Sequence, residues 1–492
     1  MNVLFINPQV PVYLRMPSLP LGLISIASYL QANGHKVKIY ERSSKKTDLE
    51  TEIKTFCPDI IGISTLSYLS CLDAKKLTKK IRTLTKAPVV WGGPAPSSLP
   101  EMILREGKPD FVMLGEGELT WQELVDKLER NEDVYGTEGL AFLKDGEYVC
   151  NPIRPVGDLM TFPDLDWSLV EPERYFSTFF NCTRMLYLHA SKGCPAACIF
   201  CSNNQFHQSC NRCRDPEQVM RDIEYYVEKC GVNGIYFSDE LFCPRRDLRT
   251  RLCEMLIEKN YDLVWGCQMR LGVLNEDDVK LMAKAGCRWI LFGIESGSPE
   301  RIKAIKKNID LRKAKPTIDW CENAGITVQA SFIVGFPDET PEEMLETINL
   351  AKSLNASLVD VNILFPSPNS EIYEMWKRDY PHYRIPTTIK EWARKVDQNV
   401  SDSMPWNFSK IPKLDLKVVH HYFQWKDFIG KSSVQHDTYG IVKKMARDTF
   451  NRIFRHGFVG FFFGTYVSVK QFTTVFFYSH FFPKIKKKYG LD

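Results

Sequence analysis

Short apolar runs alternate with amphipathic helical stretches over the first 130 residues of this 492-residue chain. This strand-then-helix order is typical of a parallel, doubly wound (flavodoxin-like) α/β sheet. Ligands of such sheets bind beyond the carboxyl ends of the strands, and here those ends carry Gly, Ser, Asn or Pro. We therefore expect a binding site at that edge. The predicted strands are residues 3–6, 36–40, 59–64, 88–93 and 110–115.

A second alternation begins at residue 185 and contains six strand-plus-helix units. Six such units predict a partial (β/α)6 barrel of the TIM type, whose sites collect at the carboxyl ends of the strands. The predicted strands are residues 185–190, 234–238, 263–267, 289–293, 327–334 and 358–364.

The chain is too long for one hydrophobic core, so we expect several units. The pattern predicts an α/β domain over residues 1–130, a connector over 131–183, a barrel over 184–376 and a helical, aromatic-rich region over 377–492. The connector is rich in Pro, Gly and Asp, and Lys144-Asp-Gly146 within it predicts a hairpin turn. The last region has 21 Lys and Arg against 9 Asp and Glu, so it is basic.

Three cysteines, Cys194, Cys198 and Cys201, follow the first predicted barrel strand at C-x3-C-x2-C spacing. A structural zinc site uses four ligands, and a 4Fe–4S cluster held by protein alone uses four cysteines. A cluster held by three cysteines keeps one iron open for a small molecule. Three ordinary thiols are the alternative. Because the N-terminus lacks the pattern of a signal peptide, we expect a cytoplasmic protein whose fifteen cysteines stay reduced.

The spacing, with an aromatic residue before the last cysteine, resembles the cluster loop of the radical S-adenosylmethionine (radical SAM) enzymes. The resemblance implies that the three cysteines hold a catalytic 4Fe–4S cluster whose open iron binds SAM. It also implies SAM contacts at the ends of later strands, of which Gly293-Ile-Glu-Ser-Gly297 is the most specific motif. Acidic residues and glycines at such ends also serve as caps and turns. The implied contacts are Asp239, Glu240, Arg270, Glu295, Gly335 and Asn362.

The glycine-rich strand ends of the first domain resemble the cobalamin-binding domain found ahead of radical SAM domains. Among them are Gly62-Ile-Ser64, Gly92-Gly93-Pro94 and Gly115-Glu-Gly-Glu118. Glycine lets the backbone approach a bulky ligand closely. The resemblance implies cobalamin contacts at Asn7, Ser64, Gly92, Gly93, Gly115 and Glu116.

The loop after the first strand departs from this resemblance. Many corrinoid proteins carry Asp-x-His-x-x-Gly there, and its histidine ligates cobalt. This chain reads Asn7-Pro-Gln-Val-Pro-Val12, and its first histidine is His35. Cobalt would therefore lack a histidine ligand from that loop. A flavodoxin-like sheet that binds nothing, or another nucleotide, is the alternative.

Together the two resemblances imply a metal-binding, cobalamin-dependent radical SAM methyltransferase. Such an enzyme generates a 5'-deoxyadenosyl radical and would methylate an unactivated carbon of a small-molecule or lipid-like substrate. An electron donor such as flavodoxin or ferredoxin would reduce the cluster. The alternatives are an oxidative cyclase or ring-rearranging enzyme on a hydrophobic or tetrapyrrole-like substrate, and a non-catalytic corrinoid or redox sensor.

Two further features leave alternatives open. Cys210 and Cys213 form another C-x2-C pair, for which we favour free thiols over a second metal site.

Ten Phe and two Tyr lie between Phe454 and Phe482, ahead of a lysine-rich end. This segment predicts a helical cap on the barrel or a peripheral contact with an anionic membrane surface, in preference to a transmembrane span. We expect no nucleic-acid partner, because Phe dominates the segment.

Overall fold

The computed structural model describes residues 1–9, 19–42, 48–179, 182–397, 406–429 and 482–491. Within these ranges the first seven strands form one sheet. The strands are β1 (Asn2–Asn7), β2 (Lys36–Glu41), β3 (Ile60–Ser64), β4 (Val89–Gly92), β5 (Phe111–Met113), β6 (Leu140–Lys144) and β7 (Glu147–Cys150).

The first sheet has the order β2-β1-β3-β4-β5-β6-β7. Its first five strands are parallel, as the sequence predicted. The strands β6 and β7 are antiparallel and form the predicted hairpin. Its turn residues Asp145 and Gly146 have φ angles of 52° and 86°. Two positive φ angles match the hairpin turn whose twist suits the flanking strands.

Helices cover both faces of this sheet. Along β1, Val3 and Phe5 enter the hydrophobic cluster on one face, while Leu4 and Ile6 enter the cluster on the other. Parallel sheets bury both faces in this way, so their strands are apolar throughout. The helices are α1 (Leu21–Ala32), α2 (Leu49–Phe56), α3 (Tyr68–Leu84), α4 (Pro94–Ser98), α5 (Pro100–Gly107) and α6 (Glu118–Glu129).

The second large sheet contains the six predicted barrel strands in parallel, with one antiparallel strand added at its edge. A separate two-stranded ribbon lies beside it. The strands are β8 (Ser177–Phe179), β9 (Cys182–Leu188), β10 (Ser191–Lys192), β11 (Arg212–Cys213), β12 (Gly234–Phe237), β13 (Val264–Met269), β14 (Cys287–Glu295), β15 (Thr327–Val334) and β16 (Leu358–Ile363).

The second sheet has the order β16-β15-β14-β13-β12-β9-β8, which is an open barrel wall, and β10 pairs with β11. Helices follow its strands. They are α7 (Asn203–Phe206), α8 (Pro216–Glu224), α9 (Arg246–Lys259), α10 (Glu276–Lys284), α11 (Pro299–Ala304), α12 (Ala314–Asn323) and α13 (Pro341–Ser353). One π-helical turn (Tyr225–Lys229) extends α8, and short 3-10 helices span Leu159–Thr161, Trp167–Leu169, Pro172–Tyr175 and Leu311–Lys313.

The described part of the C-terminal region is helical, as predicted. Its helices are α14 (Glu371–Asp379), α15 (Ile389–Asp397), α16 (Lys413–Ile429) and α17 (Pro483–Lys488). The α15 helix packs against α3 of the first sheet. There the rings of Tyr68 and Trp392 stack with centroids 5.5 Å apart. The C-terminal region therefore joins the two sheets.

The predicted domain boundaries at residues 130, 183 and 376 remain predictions. Among the described residues, no helix has both the length and the apolar character that crossing a bilayer requires. The aromatic segment from Phe454 to Phe482 lies outside the described residues except for Phe482, so the predictions for its packing or membrane contact stay predictions.

Candidate functional site

The three predicted cluster cysteines lie on one loop between β10 and α7. The loop is held at both of its sides. The Gly193 N–H donates to the Glu240 carboxylate at 2.8 Å, and the Ile199 N–H donates to the Ile305 carbonyl at 3.1 Å. Gly193 has a φ of 82°, a conformation that glycine adopts without strain. The loop is therefore fixed by the β12 and α11 ends of the barrel.

The three thiols lie close enough together for the charges of Cys194 and Cys201 to act on Cys198. Cys198 is buried, while Cys194 and Cys201 are half-buried. Burial raises the pKa of the Cys198 thiol to about 11, although the charge of Lys307 opposes the shift; negative charge on either of the other two thiols would raise it further. Proximity of this kind suits three ligands of one cluster.

A cluster and a single ion make different demands on these thiols. Among the described residues, no three His, Cys, Asp or Glu side chains converge as one metal ion requires. A 4Fe–4S cube binds its thiolates at separate corners, so its ligands need not converge on one point. Three cysteines on one restrained loop therefore fit the cube, with thiolate the ligand type that iron–sulfur clusters use.

Glu295, a predicted SAM contact, lies beside this loop at the end of β14. Its carboxylate accepts a hydrogen bond from Lys307 Nζ at 2.8 Å, and both side chains are largely buried. Arg270, another predicted contact, instead donates to the carbonyls of Lys307 and Asn308, the latter at 2.8 Å. Arg270 thus holds the turn that carries Lys307. Lys307 was not predicted, because no local sequence pattern marks a lysine twelve residues after a strand end.

Asp239 and Glu240 have different surroundings. The buried Asp239 carboxylate accepts from the N–H of Ala190 at 3.1 Å and from the N–H and hydroxyl of Ser191, each at 2.7 Å. Burial raises the Asp239 pKa well above its usual range, although these hydrogen bonds oppose the shift. Asp239 therefore anchors β10, and Glu240 is the carboxylate of the pair that faces open space.

The remaining two predicted SAM contacts lie at the ends of β15 and β16. Gly335 has a φ of 89°, and its N–H donates to the Glu339 carboxylate at 2.5 Å. Burial raises the pKa of Glu339 to about 7, although N–H donors from Gly335 and Phe336 oppose the shift. Asn362 is exposed and donates to Asp360 at 2.5 Å. Glu339, four residues after Gly335, was not predicted.

A cavity of about 300 Å3 lies where the carboxyl ends of the first sheet meet the barrel. Asn7, the sixth predicted cobalamin contact, is not among the described lining residues; its amide donates to the Glu41 carboxylate at 3.0 Å. Barrel residues that the sequence analysis did not assign to cobalamin form the opposite wall, among them His189, Lys192 and His207. Five predicted cobalamin residues line the cavity: Ser64, Gly92, Gly93, Gly115 and Glu116.

The cavity has an apolar part and a glycine-lined edge. Phe5, Ile26 and Trp121 contribute apolar surface. At Gly93, where φ is 107°, an added Cβ would lie 2.6 Å from the carbonyl oxygen of Thr65. Only glycine fits there, because the chain after β4 passes directly beside the backbone that follows β3. The volume suits part of a corrinoid, and the apolar surface suits the benzimidazole that a cobalamin carries.

A network of charges lines the polar part of the cavity. His207 Nδ1 lies 2.6 Å from Glu116, and its Nε2 lies 3.2 Å from Glu240. Glu116 also pairs with Arg212, and Lys192 pairs with Glu118 at 2.6 Å. The network joins the first sheet to the barrel.

This pairing changes the protonation of the network. Burial alone would lower the pKa of His207, but hydrogen bonds from its ring to Glu116 and Glu240 raise it to about 9. Burial would likewise raise the pKa of Glu240, but the hydrogen bond and charge of His207 lower it to about 2. At neutral pH the network therefore contains an imidazolium between two carboxylates.

Comparison with known proteins agrees with this geometry. The B12 binding domain family matches residues 14–125, and the radical SAM superfamily matches residues 188–351. An uncharacterized methyltransferase of Pyrococcus horikoshii is 31% identical over 361 residues, which are 72% of this chain and 78% of that protein. The chain belongs to the cobalamin-dependent radical SAM enzymes. Their cofactors, a 4Fe–4S cluster, SAM and cobalamin, are those the sequence predicted.

Two other comparisons bear on the family and the fold. The anaerobic magnesium-protoporphyrin IX monomethyl ester cyclase of Rubrivivax gelatinosus is 27% identical, over 76% of this chain and 70% of that protein. The radical SAM methyltransferase TsrM of Kitasatospora setae, solved with cobalamin and a 4Fe–4S cluster, superposes with a TM-score of 0.64 at 18% identity, over 77% of this chain and 75% of that one. The predicted fold, a cobalamin-binding domain followed by a partial barrel, is confirmed.

The second C-x2-C pair, Cys210 and Cys213, lies outside the cluster loop. Neither Cys210 nor Cys213 forms a disulfide. Cys213 is buried in β11, where it pairs in register with Ser191 of β10. A hydrogen bond with Cys243 lowers the Cys213 pKa, and burial opposes the shift. Both cysteines are free of disulfides, like the three cysteines of the cluster loop, and the preference for free thiols over a second metal site stays a prediction.

Proposed function

We propose that this enzyme generates a 5'-deoxyadenosyl radical and methylates an unactivated carbon of a small-molecule or lipid-like substrate. One observation carries the proposal: the cavity and the cluster loop share Glu240. This carboxylate lines the cavity and accepts the N–H of Gly193, the residue before Cys194. Two cofactor sites so close together suit a single substrate that meets both chemistries in turn.

The proposal assigns the cluster to Cys194, Cys198 and Cys201. Bound there, the reduced cluster supplies the electron that splits SAM into methionine and the radical, and cobalamin supplies the methyl group. The protein aligns these groups. An external donor of the flavodoxin or ferredoxin type would provide the electron.

The Glu295 and Lys307 pair supports a SAM site next to the loop. The amino acid part of SAM carries one ammonium and one carboxylate, so a neighbouring carboxylate and ammonium complement it. Both side chains are near Cys198, whose pKa responds to each of their charges. We propose that Glu295 contacts the SAM ammonium and that Lys307 contacts its carboxylate. Arg270 would then act as a positioning residue for Lys307.

The cavity lining supports cobalamin contacts at Ser64, Gly92, Gly93, Gly115 and Glu116. Glycines at the strand ends leave room for a bulky ring, and the polar wall offers charged groups to its amide side chains. The apolar surface around Phe5, Gly62 and Trp121 would exclude water from the part of the cofactor that enters it.

Methylation is preferred because a relative at 31% identity is named a methyltransferase. Ring formation is the second candidate, since a relative at 27% identity is named a cyclase. The lipid-like substrate class rests on the sequence of residues 454–482 alone.

Product analysis tests the proposal. The chain would be reconstituted anaerobically with iron, sulfide and hydroxocobalamin, then supplied with SAM, a reductant and candidate substrates. Methylation should yield 5'-deoxyadenosine and S-adenosylhomocysteine in equal amounts, whereas 5'-deoxyadenosine without S-adenosylhomocysteine would favour a cyclase. Absence of both products in catalytic amounts would contradict either enzyme.

A matched pair of variants tests the cluster assignment. Replacing Cys194, Cys198 and Cys201 together with Ala should abolish iron binding and SAM cleavage while bound cobalamin is retained. Replacing Cys210 with Ala should leave the iron content unchanged. SAM cleavage by the triple variant would refute the assignment.

A further inference from the structure

The strands of the second sheet have two unlike faces. Along β15 every second residue is fully buried, on the face that α12 and α13 cover, and the residues between them are half-buried. Successive residues of a strand point to opposite faces of a sheet. The half-buried residues Gln329, Ser331 and Ile333 therefore face the interior of the open barrel.

Strand register extends this interior face across the sheet. Ser331 lies between Gly293 of β14 and Asp360 of β16, and these three residues form the upper interior layer. An aromatic layer lies nearer the start of the strands, with ring centroids 5.6 and 5.3 Å apart along the series Tyr187, Tyr236 and Trp289. Interior layers of barrels are usually filled by bulky branched side chains. The polar upper layer departs from that rule.

Asp360 supplies the negative charge of the upper layer. Its carboxylate is half-buried, and Oδ1 accepts one hydrogen bond, from Gln329 at 2.9 Å. Oδ2 accepts two, from the Ser331 hydroxyl at 2.8 Å and from Asn362 at 2.5 Å. All three donors are uncharged. Within the described part of the chain, no Lys, Arg or His side chain forms an ion pair with Asp360.

This arrangement leaves Asp360 suited to a cation. The strands do not need these side-chain bonds, since the backbone register already pairs β15 from Gln329 to Val334 with β16. A carboxylate has about four acceptor positions, so one remains on Oδ1. Removing a charge from water is costly unless an opposite charge compensates it. A cationic donor at Oδ1 would use the remaining position and supply that charge.

The upper layer also adjoins the proposed SAM pair. A Cβ added at Gly293 would lie 2.5 Å from a carboxylate oxygen of Glu295 and 3.2 Å from Lys307 Nζ, so both charged groups lie beside Gly293. Asp360 is two strands from Gly293. Neighbouring strands are spaced by about 4.8 Å, which places Asp360 roughly 10 Å from Gly293. A small molecule held at Asp360 can span that distance.

We propose that Asp360 binds a protonated amine of the substrate on the interior face of the barrel. The inference rests on the proposed function and names its substrate class, a small molecule or amphiphile that carries a basic nitrogen. The ammonium of SAM is assigned to Glu295, so Asp360 is left for a second cation. The aromatic layer of Tyr187, Tyr236 and Trp289 suits the apolar part of such a molecule.

Matched probes test the charge preference without turnover. The chain would be loaded with the cluster, cobalamin and SAM, and given no reductant, so that SAM stays intact. Phenethylamine and octylamine would be compared at pH 7 with 2-phenylethanol and 1-octanol by saturation-transfer NMR titration. We expect each amine to bind about tenfold more tightly than its alcohol, because its hydrogen bond to a carboxylate is charge-assisted. Equal affinities, or no binding of either amine at millimolar concentration, would overturn the proposal.

Variants assign the preference to one carboxylate. Asp360→Asn keeps the side-chain shape and removes the charge, so the amines should bind about tenfold more weakly while alcohol binding changes less than about twofold. Asp319 is the matched control, because it is half-buried on α12 and pairs with Lys315 at 2.8 Å. Asp319→Asn should leave every affinity unchanged. Unchanged amine binding in Asp360→Asn would overturn the proposal.

SAM binding separates a substrate site from a cofactor contact. In equilibrium dialysis with radiolabelled SAM, Asp360→Asn should bind SAM within about twofold of the wild type. A tenfold loss of SAM affinity with unchanged amine binding would assign Asp360 to SAM and overturn the proposal.

Failure of the proposed function has a different signature. If amines bind through Asp360 but product analysis yields no S-adenosylhomocysteine, the amine site stands and methylation is refuted. If S-adenosylhomocysteine forms but the wild type binds amines no better than alcohols, methylation stands and the amine site is refuted.

Discussion

Gly193 has a φ of 82°, and it packs closely against the backbone of Cys210. A Cβ added at Gly193 would collide with the Cys210 carbonyl oxygen. Gly193→Ala should therefore shift the cluster loop and remove most of the bound iron, measured as iron and sulfide per chain after anaerobic reconstitution. Gly325→Ala is the matched control, because Gly325 has a φ of 78° with nothing within 4 Å of the added Cβ. Positive φ alone costs about 1–2 kcal/mol. Equal iron loss in both variants would contradict the steric account.

The pH dependence of stability should depend on His207. Because folding raises its pKa from 6.5 to about 9, its contribution is fully present below pH 6.5 and is lost as the pH rises to about 9. The shift corresponds to at most about 3 kcal/mol. Denaturant unfolding of the cobalamin-free wild type and of His207→Gln should therefore give a larger difference in unfolding free energy at pH 6.5 than at pH 9. A difference independent of pH would contradict the ion-pair network.

A local pattern carries the proposed cluster cysteines, because the C-x3-C-x2-C spacing is contained in eight residues. The proposed SAM contact of Lys307 depends on its pairing with Glu295, which lies at the end of a strand. The residues next to Lys307 in the chain do not indicate this pairing. The same holds for His189, which lines a cavity whose far side belongs to the other sheet.

At the level of elements, periodicity predicted the six parallel barrel strands and the five parallel strands of the first sheet. It did not predict that the hairpin of β6 and β7 would extend the first sheet, or that β8 would extend the second. Both additions come from the connector, and their strands pair antiparallel. The short strands β7 and β8 lack the continuous apolar run that marks a parallel strand, whereas β6 is apolar and buried over its first three residues.

The contact between α15 and α3 should be a main source of stability for the C-terminal region. Trp392 is fully buried and stacks on Tyr68. Trp392→Ala should lower the free energy of unfolding by about 3–5 kcal/mol, because it removes a large buried side chain and leaves a cavity. Trp392→Phe keeps an aromatic ring and should cost less than the alanine variant. Urea unfolding followed by circular dichroism measures both, and equal effects of the two variants would contradict a role for ring volume.

At the scale of the whole molecule, the functional site exists only where the two sheets meet. Glu116 and Glu118 come from the end of the first sheet, while Lys192 and His207 come from the barrel side. Sequence motifs identified each half of the site separately. The pairing between halves could not be predicted, because it depends on contacts 74 and 91 residues apart in the chain.

The Lys192–Glu118 pair should couple the two sheets. Its atoms lie 2.6 Å apart, and the side chains are only 12% and 3% exposed. Glu118→Gln leaves a buried ammonium with a weaker partner and should lower the unfolding free energy of the cobalamin-free protein by about 3–5 kcal/mol. The double variant Lys192→Met with Glu118→Leu removes both charges and should be less destabilised than the single one, because no unpaired charge remains buried.

An exposed pair gives the control for this cycle. Charged atoms of Arg221 and Asp164 lie 2.7 Å apart, and both side chains are about half exposed. Because water screens their charges, Asp164→Asn should lower the unfolding free energy by less than about 1 kcal/mol. Urea unfolding of Lys192→Met, Glu118→Leu and their double variant yields the coupling free energy of the buried pair. If Glu118→Gln costs no more than Asp164→Asn, the Lys192–Glu118 pair does not hold the sheets together, and the junction must depend on the pairs of Glu116 and on apolar contacts.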